Sequence, residues 1–326
     1  MLNVFAIKEK HTVYECIREV GAGIEHDINI FGLDAPQGTN YNLNEIHNMP
    51  TFLGSARAPY TKPFFLYLEE IVTFEESGPF SLQVLAHSHP NFLGCISHIK
   101  DTCTQLFTKY GINCYHLPLS SHDKDRDRIS RRIKSLADPR KPVTLVSWGS
   151  WNDVDDANWA NRGIVQVDDI AYNLLRDGSN IKLIAKTKRQ LRCEAFSGDS
   201  GRVCIQREYL HDQTELDDLF YEGDLFLLPS RQVHSASLTN AFSFGMPCVT
   251  SNGWGMSEYC FDNFNSLVGY RNSNFAERIK DLCDNRERLI KMSENTLAWY
   301  NSNHSRENHK ANLHRLVDLA MSRHVK

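Results

Sequence analysis

Small hydroxyl residues follow a short apolar strand in the second half of the sequence. The stretch DLFLLPSRQVHSASLTNAFSFGMPCVTSNGWGMSEY covers residues 224–259 and predicts a strand, a helix and a second strand. Ser235, Ser237 and Thr239 lie just before or within the first turn of that helix. Unpaired N–H groups and the positive end of the helix dipole favour a bound phosphate at such a position. The alternative is that these hydroxyls only cap the helix.

Segments with strand and helix patterns alternate through most of the 326 residues. This order predicts an α/β fold with parallel sheets covered by helices. In such a fold the helix starts lie at the carboxyl ends of the strands, where ligands bind. The second half alone provides roughly six strands, enough for a complete doubly wound domain, and it includes a predicted helix at 188–196.

The charged stretch SSHDKDRDRISRRIKSLADPRKP, residues 120–142, interrupts this alternation. It is too polar for a core and ends in a proline-containing segment, so we interpret it as a linker with a boundary near residue 139. Residues 1–138 would then form an N-terminal domain, and residues 139–300 would form a second domain.

The composition bounds the class of protein. Hydrophobic residues make up 41% and charged residues 23% of the chain, as in ordinary globular proteins. No apolar run approaches the roughly 18–20 residues of a membrane span, and the N-terminus lacks the pattern of a signal peptide. Nine scattered cysteines indicate reduced thiols and a cytoplasmic location. The formal net charge of −4 does not favour a nucleic-acid partner, although it does not exclude one.

The stretch that starts at Asp224 resembles the donor-binding segment of GT-B glycosyltransferases, in the large retaining group that uses nucleotide sugars. The family pattern is roughly D-x-hydrophobic-PS-x-x-E-x7-E-A-x-x-x-G-x-P-V, followed by a loop with G-G-x-x-E. In VTLVSWGSW…NRGI, which is similar to the first strand and helix start of the same domain, Arg162 takes the lysine position. The resemblance covers about residues 92–301. The residues that match the pattern in register are Asp224, Pro229, Ser230, Ala241, Gly245, Pro247, Gly255 and Glu258.

The resemblance implies a GT-B fold, in which two Rossmann-like domains with parallel sheets face each other across a cleft. Residues 1–138 would form the domain on the acceptor side, and residues 139–300 would form the domain that binds the nucleotide sugar. The segment 301–326 would be a C-terminal helix that packs back toward the N-terminal domain. The implied reaction moves a sugar from a UDP- or GDP-linked sugar, with retention, to an unidentified acceptor such as a glycan, lipid, protein or small molecule. No metal and no other cofactor is expected, and no cluster of residues in the sequence has metal-ligand spacing.

The same resemblance assigns residues to the donor. Gln232 and Gly255 are expected at the donor sugar. For Arg162 the alternative is an exposed arginine without a ligand, and for Lys186 it is the polar tip of a strand. The residues expected at the diphosphate and nucleotide are Arg162, Gly163, Lys186, Ser237, Leu238, Thr239 and Asn240.

Four residues are candidates for catalysis. Glu69 and Glu70 end the predicted strand FFLYL in the first domain, where GT-B enzymes place an acid, base or histidine that contacts the acceptor. His98 follows another predicted strand, and Gln232 lies at the donor sugar. The alternatives are a solvated pair of glutamates that opens the next helix, and a histidine that only begins a helix.

Two departures from the family pattern concern charge. Gln232 and Asn240 stand where the family has two glutamates, and Ser150 follows Gly149 where the family has an arginine. An amide can still bind a hydroxyl, but it cannot supply negative charge to an oxocarbenium-like transition state. Two further hypotheses therefore stay open: a nucleotide- or sugar-binding pseudoenzyme of the same fold, and a viral-type glucosyltransferase that acts on DNA bases.

Overall fold

The computed structural model describes residues 2–5, 17–21, 23–33, 62–68, 89–148, 163–198, 201–207, 213–269 and 274–324. Glu69, Glu70, Ser150 and Arg162 lie outside the described residues. The chain forms two compact units. The first unit joins Met1–His122 to His304–Lys326, and the second is Asp123–Asn303.

Within the described residues, the strands and helices follow one another in α/β order. The strands are β1 (Leu2–Phe5), β2 (Ile28–Leu33), β3 (Phe64–Leu68), β4 (Phe92–Ser97), β5 (Cys114–His116), β6 (Val143–Ser147), β7 (Ile181–Lys186), β8 (Val203–Gln206), β9 (Leu225–Leu228), β10 (Cys248–Ser251) and β11 (Ser266–Gly269). The helices are α1 (Lys100–Tyr110), α2 (Arg126–Ser135), α3 (Ile164–Arg176), α4 (Gln213–Glu222), α5 (Ser235–Ser243), α6 (Phe275–Asp284), α7 (Arg286–Asn303) and α8 (Arg306–His324).

The first unit is built on a five-stranded parallel sheet with the order β1-β2-β3-β4-β5. The segment FFLYL of β3 is an unbroken apolar run, and all five of its side chains are buried, as expected for an interior strand of a parallel sheet. Leu313, Leu316 and Val317 of α8 belong to the same apolar core as β3. The C-terminal helix thus completes the first unit. It begins at Arg306 rather than at residue 301, because α7 continues to Asn303.

The second unit is built on a six-stranded parallel sheet with the order β11-β10-β9-β6-β7-β8. Its core combines apolar side chains of these strands with one face of α3, which buries Ile164, Val167 and Ala171 at helical spacing. The prediction of an α/β fold with parallel sheets is confirmed in both units.

The two units divide at residues 122 and 123, not after residue 138 as the sequence suggested. The polar helix α2 lies within the predicted linker, but it packs against α4 and α7 of the second unit. Lys124 holds Asp217 at 2.7 Å, and the buried Arg132 donates to the carbonyl oxygen of Phe244 at 2.6 Å. These charged side chains have partners within the second unit, and this pairing allows such a polar segment to pack there.

The helix predicted at 188–196 is shorter and of another type, a 3-10 helix at Arg192–Phe196. Asp168 of α3 accepts hydrogen bonds from the N–H groups of Arg192 (3.1 Å) and Cys193 (3.0 Å). Glu194 binds the N–H of Leu191. Side chains therefore bind the N–H groups at the start of this turn, so the helix begins only at residue 192.

Candidate functional site

One edge of the second sheet collects the loops that carry most of the predicted donor residues. Because the strands are parallel, β6, β7, β9 and β10 all end at this edge, with Ser147, Lys186, Leu228 and Ser251 as their last residues. This carboxyl edge is where α/β proteins bind their ligands.

The helix α5 begins at this edge without a side-chain cap. His234 is its N-cap residue, and the first helical hydrogen bond runs from the N–H of Leu238 to the carbonyl of His234 at 3.0 Å. The three N–H groups of residues 235–237 precede that bond and can therefore donate to an anion. Ser237 is partly exposed, whereas Leu238 and Thr239 are buried. Of the predicted donors in this helix, Ser237 is thus the one whose N–H lies in the open first turn.

The helix α3 begins beside the end of β9. Gly163 is its N-cap, with φ of 78°, and no side chain of the described residues caps the helix. A Cβ atom added to Gly163 would lie 2.2 Å from the carbonyl oxygen of Pro229. Only glycine fits both this left-handed conformation and this close approach. The contact brings a second open helix start next to the loop that leads into α5.

Two loops at this edge are joined through their main chains. Gln232 and Trp254 form a parallel bridge, in which the N–H of Val233 donates to the carbonyl of Trp254 (2.9 Å) and the N–H of Trp254 donates to that of Arg231 (3.1 Å). A Cβ atom on Gly253 would lie 2.5 Å from the carbonyl group of Arg231, so the two backbones are in direct contact. The loop after β9 and the loop after β10 therefore form one surface.

The remaining predicted donor residues lie on these same segments. Gln232 and Asn240 are partly exposed, in the loop before α5 and in its second turn. Gly255 has φ of 74° and begins the 3-10 helix Met256–Glu258. The structure thus assembles Gly163, Gln232, Ser237, Asn240 and Gly255 around the ends of β9 and β10.

Lys186 ends β7 at the same edge. Its side chain is buried, and its Nζ lies 5.9 Å from the centre of the Trp148 ring, within the range of a cation–π interaction. The sequence predicted a charged strand end here. It did not predict that an indole would lie over the amine.

The motif residue Asp224 lies at the opposite end of β9. Its carboxylate is fully buried and accepts hydrogen bonds from the N–H of Thr144 (2.9 Å) and from Lys141 (3.2 Å), and Arg132 lies 3.6 Å away. Its role is therefore structural, because it joins the starts of β6 and β9. No local pattern in the sequence marks Arg132 and Lys141 as its partners, since they lie 92 and 83 residues before it.

His98 in the first unit is a buried histidine with protein partners. Its Nδ1 lies 3.4 Å from the hydroxyl of Tyr67, and its carbonyl oxygen accepts a hydrogen bond from His116 Nε2 at 3.3 Å. Burial, together with the nearby His116, lowers the pKa of His98 to about 3. His98 is therefore neutral at pH 7 and lacks the second ring proton that an imidazolium would give up as a general acid.

Neither a metal-binding group nor a membrane-spanning helix is found among the described residues. No three His, Cys, Asp or Glu side chains there are grouped so that they could hold a metal ion. None of the helices in these ranges is both long and apolar enough to cross a membrane.

Comparison with known proteins agrees with this arrangement. Residues 206–299, which contain both paired loops and α5, match the family model of "Glycosyl transferases group 1". No sequence among the curated proteins is significantly similar to this chain.

Several solved structures have the same fold. WaaG, a glycosyltransferase of lipopolysaccharide biosynthesis, has a TM-score of 0.61 at 13% identity, with 96% of this chain and 98% of that chain covered. HepE of Anabaena, solved in complex with UDP, has a TM-score of 0.61 at 13% identity, with coverage of 93% and 81%. TarM has a TM-score of 0.60 at 11% identity; 94% of this chain aligns, over 58% of TarM.

The two parallel-sheet units and these structural relatives show that the fold is GT-B. The family model covers the segment whose loops meet at the carboxyl edge of the second sheet. The chain therefore has a GT-B fold, and its residues 206–299 resemble a group 1 glycosyltransferase.

Proposed function

We propose that this chain transfers a sugar from a nucleotide diphosphate sugar, and that the donor diphosphate binds at the carboxyl edge of the second sheet. One observation carries the proposal. Both α3 and α5 begin at this edge with no side-chain cap among the described residues, and the contact between Gly163 and Pro229 holds the start of α3 against the loop that leads into α5. Two sets of free N–H groups and two helix dipoles favour the negative charge of a diphosphate.

The proposed chemistry is stabilisation of the leaving group. The bond between the anomeric carbon and the β-phosphate oxygen breaks as the acceptor hydroxyl forms its own bond to that carbon. The diphosphate gains negative charge in this step, and donors that are already oriented stabilise it best. We assign this role to the N–H groups of residues 235–237, to those at the start of α3, and to Arg162 and Lys186.

The donor we propose is a uridine diphosphate sugar, with a guanosine diphosphate sugar as the alternative. HepE, which has the same fold, was solved with UDP and with UDP-glucose, and this supports the choice of uridine. We also propose that the reaction retains the anomeric configuration and requires neither a metal nor another cofactor. Proton NMR of the first product tests retention, and an assay with excess chelator tests the metal.

A binding experiment on the full chain tests the donor site. UDP, GDP and ADP are compared with their monophosphates by thermal shift. A diphosphate that binds only the native state raises the free energy of unfolding by RT ln(1 + [L]/Kd), which is about 2.7 kcal/mol at a hundredfold excess over Kd. We expect UDP to raise Tm more than UMP does. No stabilisation by any diphosphate at millimolar concentration would overturn the proposed site.

Assays of hydrolysis and transfer with the matching sugar donors then test catalysis. We expect slow release of UDP from the UDP-linked sugar even without an acceptor, since water can take the place of the acceptor hydroxyl. Tight binding of a donor without turnover, in the presence of a panel of acceptors, would contradict the proposed transfer and favour a protein that only binds.

A further inference from the structure

Trp254 lies beside the residue that we assign to the donor sugar. In the bridge between Gln232 and Trp254 the two residues are paired directly, through hydrogen bonds on either side of Gln232. Paired residues on neighbouring strands lie about 4.8 Å apart, and their side chains emerge on the same face. An amide and an indole therefore stand next to each other at the carboxyl edge.

Both side chains are available to a ligand. Each is partly exposed, and within the described parts of the chain neither the amide of Gln232 nor the indole of Trp254 makes a hydrogen bond or ring contact. The main chain holds the two residues in place, because all the hydrogen bonds of the bridge are between backbone groups. The backbone at residue 254 is thus fixed, and its indole has no hydrogen-bond or ring partner among the described residues.

The residue at position 254 departs from the family pattern. In the motif G-G-x-x-E, Gly255 and Glu258 match the second glycine and the acid, so Trp254 stands at the first glycine. Gly255 keeps the left-handed conformation of the loop, with φ of 74°. The loop therefore has its turn, but a large aromatic ring occupies a place where the pattern has no side chain.

We propose that Trp254 is a specificity-determining residue for the donor sugar: its indole packs against the apolar C–H face of a pyranosyl ring whose hydroxyls bind Gln232. This inference rests on the proposed function and adds the class of sugar. An aromatic ring offers a large apolar surface, and its N–H can donate to a hydroxyl at the rim. Gln232 and Trp254 carry no charge, so the pair suits a neutral hexopyranosyl unit with hydroxyls on one side and C–H groups on the other.

The test separates the sugar from the nucleotide. Dissociation constants are measured by calorimetry for UDP and UDP-glucose, and for GDP and GDP-mannose, with wild type, W254A and W254F. The W254A variant should bind the sugar nucleotide about tenfold more weakly, which is 1.4 kcal/mol, while its Kd for the nucleotide alone stays within twofold. The W254F variant keeps an aromatic face, so its Kd values for the nucleotide and for the sugar nucleotide should both stay within threefold of wild type.

A second variant controls for the loss of an aromatic side chain elsewhere in the unit. Phe261 is 41% exposed and lies outside the paired loops, so F261A should leave both constants unchanged. If W254A weakens the binding of the nucleotide and of the sugar nucleotide equally, or changes the binding of neither, the inference is overturned although the proposed function stands. If wild type binds no nucleotide diphosphate at all, both are overturned. The main-chain bridge does not depend on the side chain at 254, and W254F reports on the ring if W254A proves unstable.

Discussion

Polar groups lie in opposite environments at the two ends of strand β9. At its amino end, Asp224 is fully buried and binds Thr144, Lys141 and Arg132, all from the same unit. At its carboxyl end, the loop after Pro229 is held by backbone hydrogen bonds, and the side chain of Gln232 has no partner among the described residues.

The difference distinguishes polar residues that support the fold from those that await a ligand. A buried network whose members all have partners rigidifies a structure, whereas a rigid backbone with unpaired donors is suited to bind a molecule from solution. Both ends carry residues of the same family motif, so matching the motif does not by itself make a residue functional. Asp224 belongs to the fold, and we propose that the segment 229–240 belongs to the site.

Removal of the carboxylate at the amino end should have the largest effect. Asp224→Ala leaves Arg132 and Lys141 without their buried acid and should lower the free energy of unfolding by about 3–5 kcal/mol. Urea denaturation measures the change. As a control, Asp218→Ala removes an exposed ion pair to Arg128 and should cost less than about 1 kcal/mol. A similar small loss in both variants would mean that the buried network does not stabilise the fold.

A methyl group at the start of α3 should affect both stability and binding. Gly163→Ala adds left-handed strain of about 1–2 kcal/mol and a clash with Pro229, so the free energy of unfolding should fall by about 2–4 kcal/mol in all. The variant should also bind UDP more weakly, because the clash displaces the start of α3. Gly178→Ala, at the other end of the same helix, has a similar φ of 76° but open space around the added atom. Gly178→Ala should therefore lower the free energy of unfolding only by the backbone strain, and it should leave UDP binding unchanged. Equal effects in the two variants would show that the contact with Pro229 is unimportant.

Arg162→Ala should act on the ligand rather than on the fold. We expect diphosphate binding to weaken by roughly 1.5–3 kcal/mol, the range for a charge-assisted hydrogen bond, with the Tm of the free protein unchanged. Calorimetry with UDP and a thermal melt measure the two quantities. Arg176→Ala, at the far end of α3, is the matched control and should change neither by more than about 0.5 kcal/mol. A lower Tm with unchanged binding would make Arg162 a structural residue.

The amides should have the smallest effect, and they separate transfer from mere binding. Gln232→Ala or Asn240→Ala should reduce kcat/KM by about 1–3 kcal/mol in transition-state terms, roughly 5–150-fold. Gln232→Glu with Asn240→Glu should also lower activity, since the new negative charges would repel the diphosphate that we place nearby. Steady-state kinetics with UDP-glucose measures both. A gain of activity in the double variant would mean that the amides mark a weakened site. Unchanged activity in all three variants would mean that this motif does not face the donor.

The sequence by itself determined the fold class of this protein and the segment that resembles a known family. The alternation of apolar runs with helical patterns predicts the parallel sheets, and the stretch from Asp224 to Glu258 lies within the residues that match the group 1 family model. These features are local, because periodicity and motif spacing depend only on neighbouring residues.

The tertiary structure alone decided how the elements combine. The partners of Asp224, the burial of His98, the contact of Gly163 with Pro229 and the bridge between Gln232 and Trp254 all join residues far apart in sequence or in separate loops. The polar segment that looked like a linker became helix α2 of the second unit because its charges find partners on α4 and at the turn after α5. No local pattern encodes such pairings, since each depends on the position of a distant backbone that only the folded sheet fixes.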